Sequence, residues 1–180
     1  MLNLIEIEKR AIISEEKYNE LFLVLEKQAE DLGEDDKDVC FFVFSDKMIK
    51  VCNNVSAQSA KIVYKSGKIH NSALEEIEIK IDQQDIEKAI AMFSNLGAEV
   101  IIQSFQKRHN YLYNGVEIAL KYSDHWGYHL EMEIMVNSMD EKEMAEKKIL
   151  EVANELGVEL MTDEQILAFT GKIENDYKKL

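Results

Sequence analysis

Residues 2–13, Leu-Asn-Leu-Ile-Glu-Ile-Glu-Lys-Arg-Ala-Ile-Ile, read as a strand with two unlike faces. Leu4, Glu6, Glu8 and Arg10 fall on one side and Ile5, Ile7, Ala11 and Ile13 on the other, since successive side chains of an extended chain point opposite ways. The pattern returns along the chain. Lys61 and Lys65 share a face, as do Glu76, Glu78 and Lys80, and again Glu131 and Glu133. Their opposite faces are apolar: Ile62 and Tyr64; Ile77, Ile79 and Ile81; Met132, Ile134 and Val136. An antiparallel sheet with one solvated face produces such alternation without any function. The Glu-x-Glu spacing at 6/8, 76/78 and 131/133 asks for more. Like charges on neighbouring strands repel unless a cation lies between them, and an all-oxygen set of this kind suits Mg²⁺ or Mn²⁺.

Working outward, Ser14 reads as the N-cap of a helix with Glu15 and Glu16 in its first turn. Tyr18, Leu21, Phe22, Leu25 and Ala29 carry it at helical spacing to a stop at Gly33, followed by a solvated loop over 34–38. Strands are expected over 39–45, 47–53, 60–66 and 73–81, with turns at Ser45-Asp46, Asn53-Asn54 and Ser66-Gly67. A helix fits 82–96, ending at Gly97. Three further strands fit 99–112, 115–122 and 128–136, the first two joined at Asn114-Gly115, a strong hairpin signal. Ser138 with Glu141 forms a capping-box pattern for a third helix that stops at Gly157, and Thr162 caps a last, weaker one. Over 1–180 there is no linker or second core, so a single domain is expected.

The 180 residues are 46% hydrophobic and 31% charged, the balance of a folded globular chain with a substantial core. No apolar run reaches the roughly 18 residues of a membrane span, and the N-terminus lacks the pattern of a secretion signal. A cytoplasmic location is expected. Cys40 and Cys52 have no metal-site spacing and read as packed thiols. A net charge of −14 argues against nucleic acid, which needs a basic footprint. His70, His109, His125 and His129 show no ligand spacing for a histidine-based metal site, and Trp126 reads as a packing residue.

Several segments together resemble the CYTH superfamily of triphosphate tunnel metalloenzymes. Glu6-Ile7-Glu8-Lys9-Arg10 looks like its opening ExExK signature, with arginine in the lysine place. Ile49-Lys50-Val51-Cys52 resembles L-R-I-R, Ile62-Val63-Tyr64-Lys65-Ser66-Gly67 resembles L-T-x-K-G, and Leu74-Glu75-Glu76-Ile77-Glu78 resembles R-E-E-I-E. Phe105-Gln106-Lys107-Arg108 falls where the family has its basic pair, and Gly127-Tyr128 leading to Glu131-Met132-Glu133 resembles its closing strand. The chain departs from the pattern at Cys52, Leu74, Gln106 and Lys121; the last stands where the family has an aspartate, with Glu117 four residues before it.

The resemblance implies an α+β fold, a closed eight-stranded antiparallel β-barrel with flanking helices. It implies Glu6, Glu8, Glu131 and Glu133 as ligands of Mg²⁺ or Mn²⁺, and Arg10, Lys50, Lys61, Lys65, Lys107 and Arg108 as binders of the phosphates. Lys65 and Arg108 would carry catalysis, with Glu76 and Glu78 orienting the basic groups. The expected activity is metal-dependent hydrolysis of an inorganic or organic triphosphate. The alternatives are a class IV adenylate cyclase and a non-catalytic triphosphate- or nucleotide-binding module. The expected partner is a small-molecule triphosphate, with no nucleic acid or membrane, and a homodimer is left open.

Overall fold

Alternation places the strands. In the computed structural model, which describes residues 5–66 and 76–178, they are β1 (Ile5–Ile12), β2 (Glu30–Glu34), β3 (Lys37–Val43), β4 (Lys47–Asn54), β5 (Ser59–Ser66), β6 (Glu76–Ile81), β7 (Val100–Tyr113), β8 (Val116–Ser123) and β9 (Gly127–Val136). The helices are α1 (Glu15–Gln28), α2 (Ile86–Ser94), α3 (Lys142–Glu155) and α4 (Asp163–Lys178). The expectations for Leu2, Leu4, Gly67, His70, Leu74, Glu75 and the start of the 73–81 strand lie outside the described residues. The chain forms two compact units, residues 1–34 with 107–162 and residues 35–106 with 163–180.

In the first unit the strand order is β1-β9-β8-β7, and β2 pairs with β7; every ladder with a described register is antiparallel. Asn114 and Gly115 both have positive φ, 52° and 79°, the backbone that a two-residue hairpin of matching twist demands. Ile7, Ala11, Ile118, Leu120, Leu130 and Met132 are fully or almost fully buried on one side of this sheet. Helix α3 contacts β1, β8 and β9 and buries Ala145, Ile149, Val152 and Ala153, the i, i+4, i+7, i+8 stripe of an amphipathic helix. Lys9, on that same side of β1, reaches Glu146 of α3 at 3.2 Å.

In the second unit β3, β4, β5 and β6 follow one another as antiparallel neighbours, and β3 also pairs with Val100–Gln106 of β7. One side carries Cys40, Phe42, Ile49 and Val51, packed against Ala89 and Phe93 of α2. The other side is apolar around β3. Val43, Val100 and Ile102 form an apolar patch, with Phe41 beside it, and Ile173 and Tyr177 of α4 lie on it. The charged residues gather at Lys50, Lys61, Lys65, Glu76 and Glu78.

Four local expectations change. Helix α1 stops at Gln28, and Gly33 instead belongs to β2, where a register shift between Asp31 and Gly33 accompanies its φ of 92°. A glycine tolerates that backbone in a bulge as readily as at a helix end. Asn53-Asn54 remains in strand, and the turn falls at 55–58. Ser138 makes no side-chain cap, since a short 3₁₀ turn of Met139–Glu141 intervenes before α3. The last helix, at 16 residues, is longer than α3 at 14.

Phe42 is fully buried, with its ring centroid 5.7 Å from that of Phe93. Phe42→Ala should therefore cost about 3–5 kcal/mol, as truncated core aromatics do. In urea unfolding the midpoint should drop with an unchanged slope.

Candidate active site

The polar side of the first unit follows from strand register. Glu8 lies opposite Glu133 and Arg10 opposite Glu131 across β1 and β9. Across β8 and β9, Glu117 faces Glu133, Ala119 faces Glu131, and Lys121 faces His129. Ala119 leaves room above Glu131, and three cations fill it. Lys121 donates to Glu131 Oε2 at 2.9 Å, Arg10 Nε to Oε1 at 3.2 Å, and Arg108 Nη1 to Oε2 at 3.4 Å. Arg108 also reaches Asn110 at 2.6 Å and Glu117 at 3.9 Å, and Arg10 Nε stands 2.5 Å from Glu8 Oε1.

Burial works against the charge on Glu131, yet Lys121, Arg10 and Arg108 together hold its carboxyl well below the usual range. Burial likewise opposes the Arg10 guanidinium, and Glu8 and Glu131 outweigh it. Lys121 shows the opposite balance. Burial pulls its ammonium below the ordinary value, and the repulsion of Arg108 and Arg10 adds to what Glu131 cannot recover. His129, buried beside these cations, is pulled down to about 4 by burial and then by Lys121. Its Nδ1 lies 2.9 Å from the Gly127 carbonyl, so the neutral ring donates there. The Arg10 guanidinium sits 5.6 Å from the Trp126 ring, which also lies 5.3 Å from the His129 ring, so Trp126 packs against the cation cluster.

A second cluster lies beside the first. Carboxylate oxygens of Glu6, Glu8 and Glu133 all fall within 4.8 Å of one another. Burial, then Glu8, Glu117 and Glu131, push the Glu133 carboxyl up to about 7 against the pull of Arg108. Glu8 Oε1 is buried and accepts no well-directed hydrogen bond despite the close approach of Arg10. Three crowded carboxylates, one resisting ionisation and one with an unsatisfied oxygen, form a donor set that fits a hard divalent ion. Glu131 stands apart from that set: its oxygens are engaged by three cations, where the sequence reading had grouped it with Glu6, Glu8 and Glu133.

Lys107 is exposed, and strand alternation turns it to the side of β7 opposite Arg108, away from the cation cluster where the sequence reading had placed it. Lys121 was read in the sequence as a basic group able to supply positive charge from another strand if it faced the site, and Glu117 was noted for its parity alone. Their shared parity with Ala119 and Ser123 was the available signal. In the second unit Lys65 Nζ is 2.7 Å from Glu76, Lys61 pairs with Glu78, and Lys50 sits 5.7 Å from the Phe41 ring. Glu76, although burial opposes its charge, is held below the usual range by Lys65 and, less, by Lys50.

The model of the CYTH domain matches residues 54–165, more than half of the chain. The chain belongs to the CYTH family. Its fold also matches solved structures, and the α+β antiparallel architecture expected from sequence is shared with them. A conserved hypothetical protein from Pyrococcus furiosus is 25% identical, with a TM-score of 0.69 over 89% of this chain and 99% of that one. PH1012 from Pyrococcus horikoshii is 26% identical, with a TM-score of 0.69 over 89% and 98%. HpAC1 from Hippeastrum, an adenylyl cyclase by name with a dominant triphosphatase activity, shares the fold at 16% identity and a TM-score of 0.64 over 87% and 89%. No curated protein sequence matches the chain.

The two clusters of this CYTH protein should respond oppositely to charge removal. Glu131→Gln leaves three cations facing a neutral amide and should destabilise the fold by about 3–5 kcal/mol, as loss of one buried partner does. Glu133 has a folded-state pKa above its unfolded one, so its contribution is fully present below about 4.5 and is lost as pH rises through about 7. Glu133→Gln should therefore raise the melting temperature of the metal-free protein at pH 8 and leave it nearly unchanged at pH 5.

Proposed function

We propose that this protein hydrolyses a triphosphate with the help of one Mg²⁺ or Mn²⁺ ion held by Glu6, Glu8 and Glu133. The observation that carries the reading is the juxtaposition, on one face of β1, β7, β8 and β9, of a three-carboxylate set with Arg10, Arg108 and Lys121. Phosphoryl transfer needs charge neutralisation and alignment more than it needs a strong protein nucleophile. Arg10, Arg108 and Lys121 converge on Glu131, with Glu8 beside Arg10 and Glu117 beside Arg108, and a cation on the neighbouring carboxylates would leave more of that positive charge to phosphate oxygens. Glu131 fixes their positions before substrate arrives, and such preorganised charge acts most strongly where negative charge develops. The bound ion would supply further neutralisation at the phosphates and a water of lowered pKa.

Water attacks the terminal phosphorus, the bridging P–O bond breaks, and the products are orthophosphate and the shortened phosphate chain. The family resemblance assigns Lys50, Lys61 and Lys65 to phosphate binding, and within the second unit Glu76 holds Lys65 in place. The dominant triphosphatase activity of the Hippeastrum protein supports hydrolysis over cyclisation.

Phosphate release from tripolyphosphate, ATP and thiamine triphosphate, with Mg²⁺ and Mn²⁺ tested separately, decides the matter. Arg108→Ala should lower kcat on the best substrate about a hundred- to a thousandfold, the cost of one lost transition-state contact. Lys65→Ala should cut kcat/KM at least as strongly as it weakens binding. Cyclic AMP from ATP without phosphate release would make the protein a cyclase. Tight tripolyphosphate binding with no product under either metal would make it a binding module.

A further inference from the structure

The other side of the first unit carries an arrangement that the triphosphate reading does not use. His109 of β7, Asp31 of β2 and Glu26 of α1 each offer a ligand atom, and these atoms lie within 4.8 Å of one another. His109 Nε2 is 2.7 Å from Asp31 Oδ1. We propose that Glu26, Asp31 and His109 form a second metal site, taking a borderline transition-metal ion such as Zn²⁺.

The scaffold holds all three donors. Tyr111, fully buried, donates its hydroxyl to Glu26 Oε1 at 3.0 Å. Burial and that contact keep the phenol protonated. The Gly33 amide donates to Asp31 Oδ1 at 2.7 Å. The His109 ring stacks on Tyr111 at 4.5 Å and 6°, and Phe22 meets it edge-on at 6.1 Å, so the imidazole has little freedom to turn. Among the described residues no lysine or arginine pairs with Glu26 or Asp31; the partners of Asp31 are His109 and the Gly33 amide. Two carboxylates therefore lie near one imidazole, a formal charge of −2 that a divalent ion would neutralise.

Ligands about 2.0–2.2 Å from a tetrahedral Zn²⁺ lie about 3.3–3.6 Å apart, so the donors need shift by little more than 1 Å. The ion takes the place of the proton that His109 Nε2 shares with Asp31. Donor chemistry separates this site from the first. Imidazole with carboxylates suits Zn²⁺, whereas the all-carboxylate set of Glu6, Glu8 and Glu133 suits Mg²⁺ or Mn²⁺. Glu26 and Asp31 are exposed, so a fourth position stays open to water and the ion exchanges freely. Bound there, it ties the end of α1 to β2 and β7.

The inference stands whether or not the triphosphate reading does. The test is Zn²⁺ titration of the full chain by calorimetry, with the His109 ring nitrogens followed by ¹⁵N NMR. The expected result is a site weakened at least tenfold by His109→Ala and by Asp31→Asn, unchanged in Glu133→Gln, with His109 Nε2 shifting on Zn²⁺ addition. Glu26→Gln keeps an acceptor for the Tyr111 hydroxyl, so it preserves the packing while removing one ligand charge, and it too should weaken binding. Isotherms of Glu26→Gln and the wild type that superimpose, or a His109 Nε2 resonance that does not move at saturating Zn²⁺, would overturn the proposal.

Discussion

Glu131 is the buried carboxylate on which the polar side of the first unit depends. Three cations taken out of water could not lie together without it, and it could not stay ionised without them. Its two oxygens are divided between Arg10 on one side and Lys121 and Arg108 on the other, which draws side chains from β1, β7 and β8 onto a point of β9. Burial, with the repulsion of Glu8, Glu117 and Glu131, then raises the Glu133 carboxyl above its ordinary value. The fold thus gathers a basic cluster around Glu131 and sets a carboxylate cluster beside it, the two joined where Arg10 approaches Glu8. A substrate with alternating needs, anionic oxygens and a bridging cation, matches that arrangement.

Much of this was legible in the order of residues. Alternation put Glu6, Glu8 and Arg10 on one face, and Glu131 and Glu133 on another, and both faces are where the structure has them. The hairpin at Asn114-Gly115 was readable because a positive φ at two successive positions leaves few residue choices. Alternation states which face a side chain takes, however, and not which partner it finds there. The resemblance to the family, not alternation, grouped Glu131 with the metal ligands and Lys107 with its neighbour Arg108. The strand β2 had no signal of its own. Glu-Asp-Leu-Gly-Glu is poor in strand-forming residues, and its pairing with β7 is a tertiary choice. The apolar patch under α4 escaped for the same reason, since Phe41 and Val43 give no hint of which helix will cover them.

The two clusters of the first unit and the His109 arrangement differ in how the chain prepares them. Around Glu131 the charged groups satisfy one another before any ligand arrives. Around Glu133 burial and the neighbouring carboxylates oppose ionisation, and protonation or a cation relieves that opposition. At His109 the preparation is steric: stacked rings and a bulge fix where donors sit while leaving them wet. Burial sets these differences, because an unpaired charge costs more the further it lies from water.

Cys40 and Cys52 sit on adjacent strands but on opposite faces, Cys40 in the cluster beneath α2 and Cys52 among Val39 and Val63. Both are buried, and burial pushes the Cys40 thiol up to about 11, so neither forms thiolate readily in the native state. Each thiol becomes reactive only when its own face opens. The second unit therefore carries two natural reporters of local unfolding, and the rates at which a thiol reagent modifies them would rank how often each side of one sheet is laid bare.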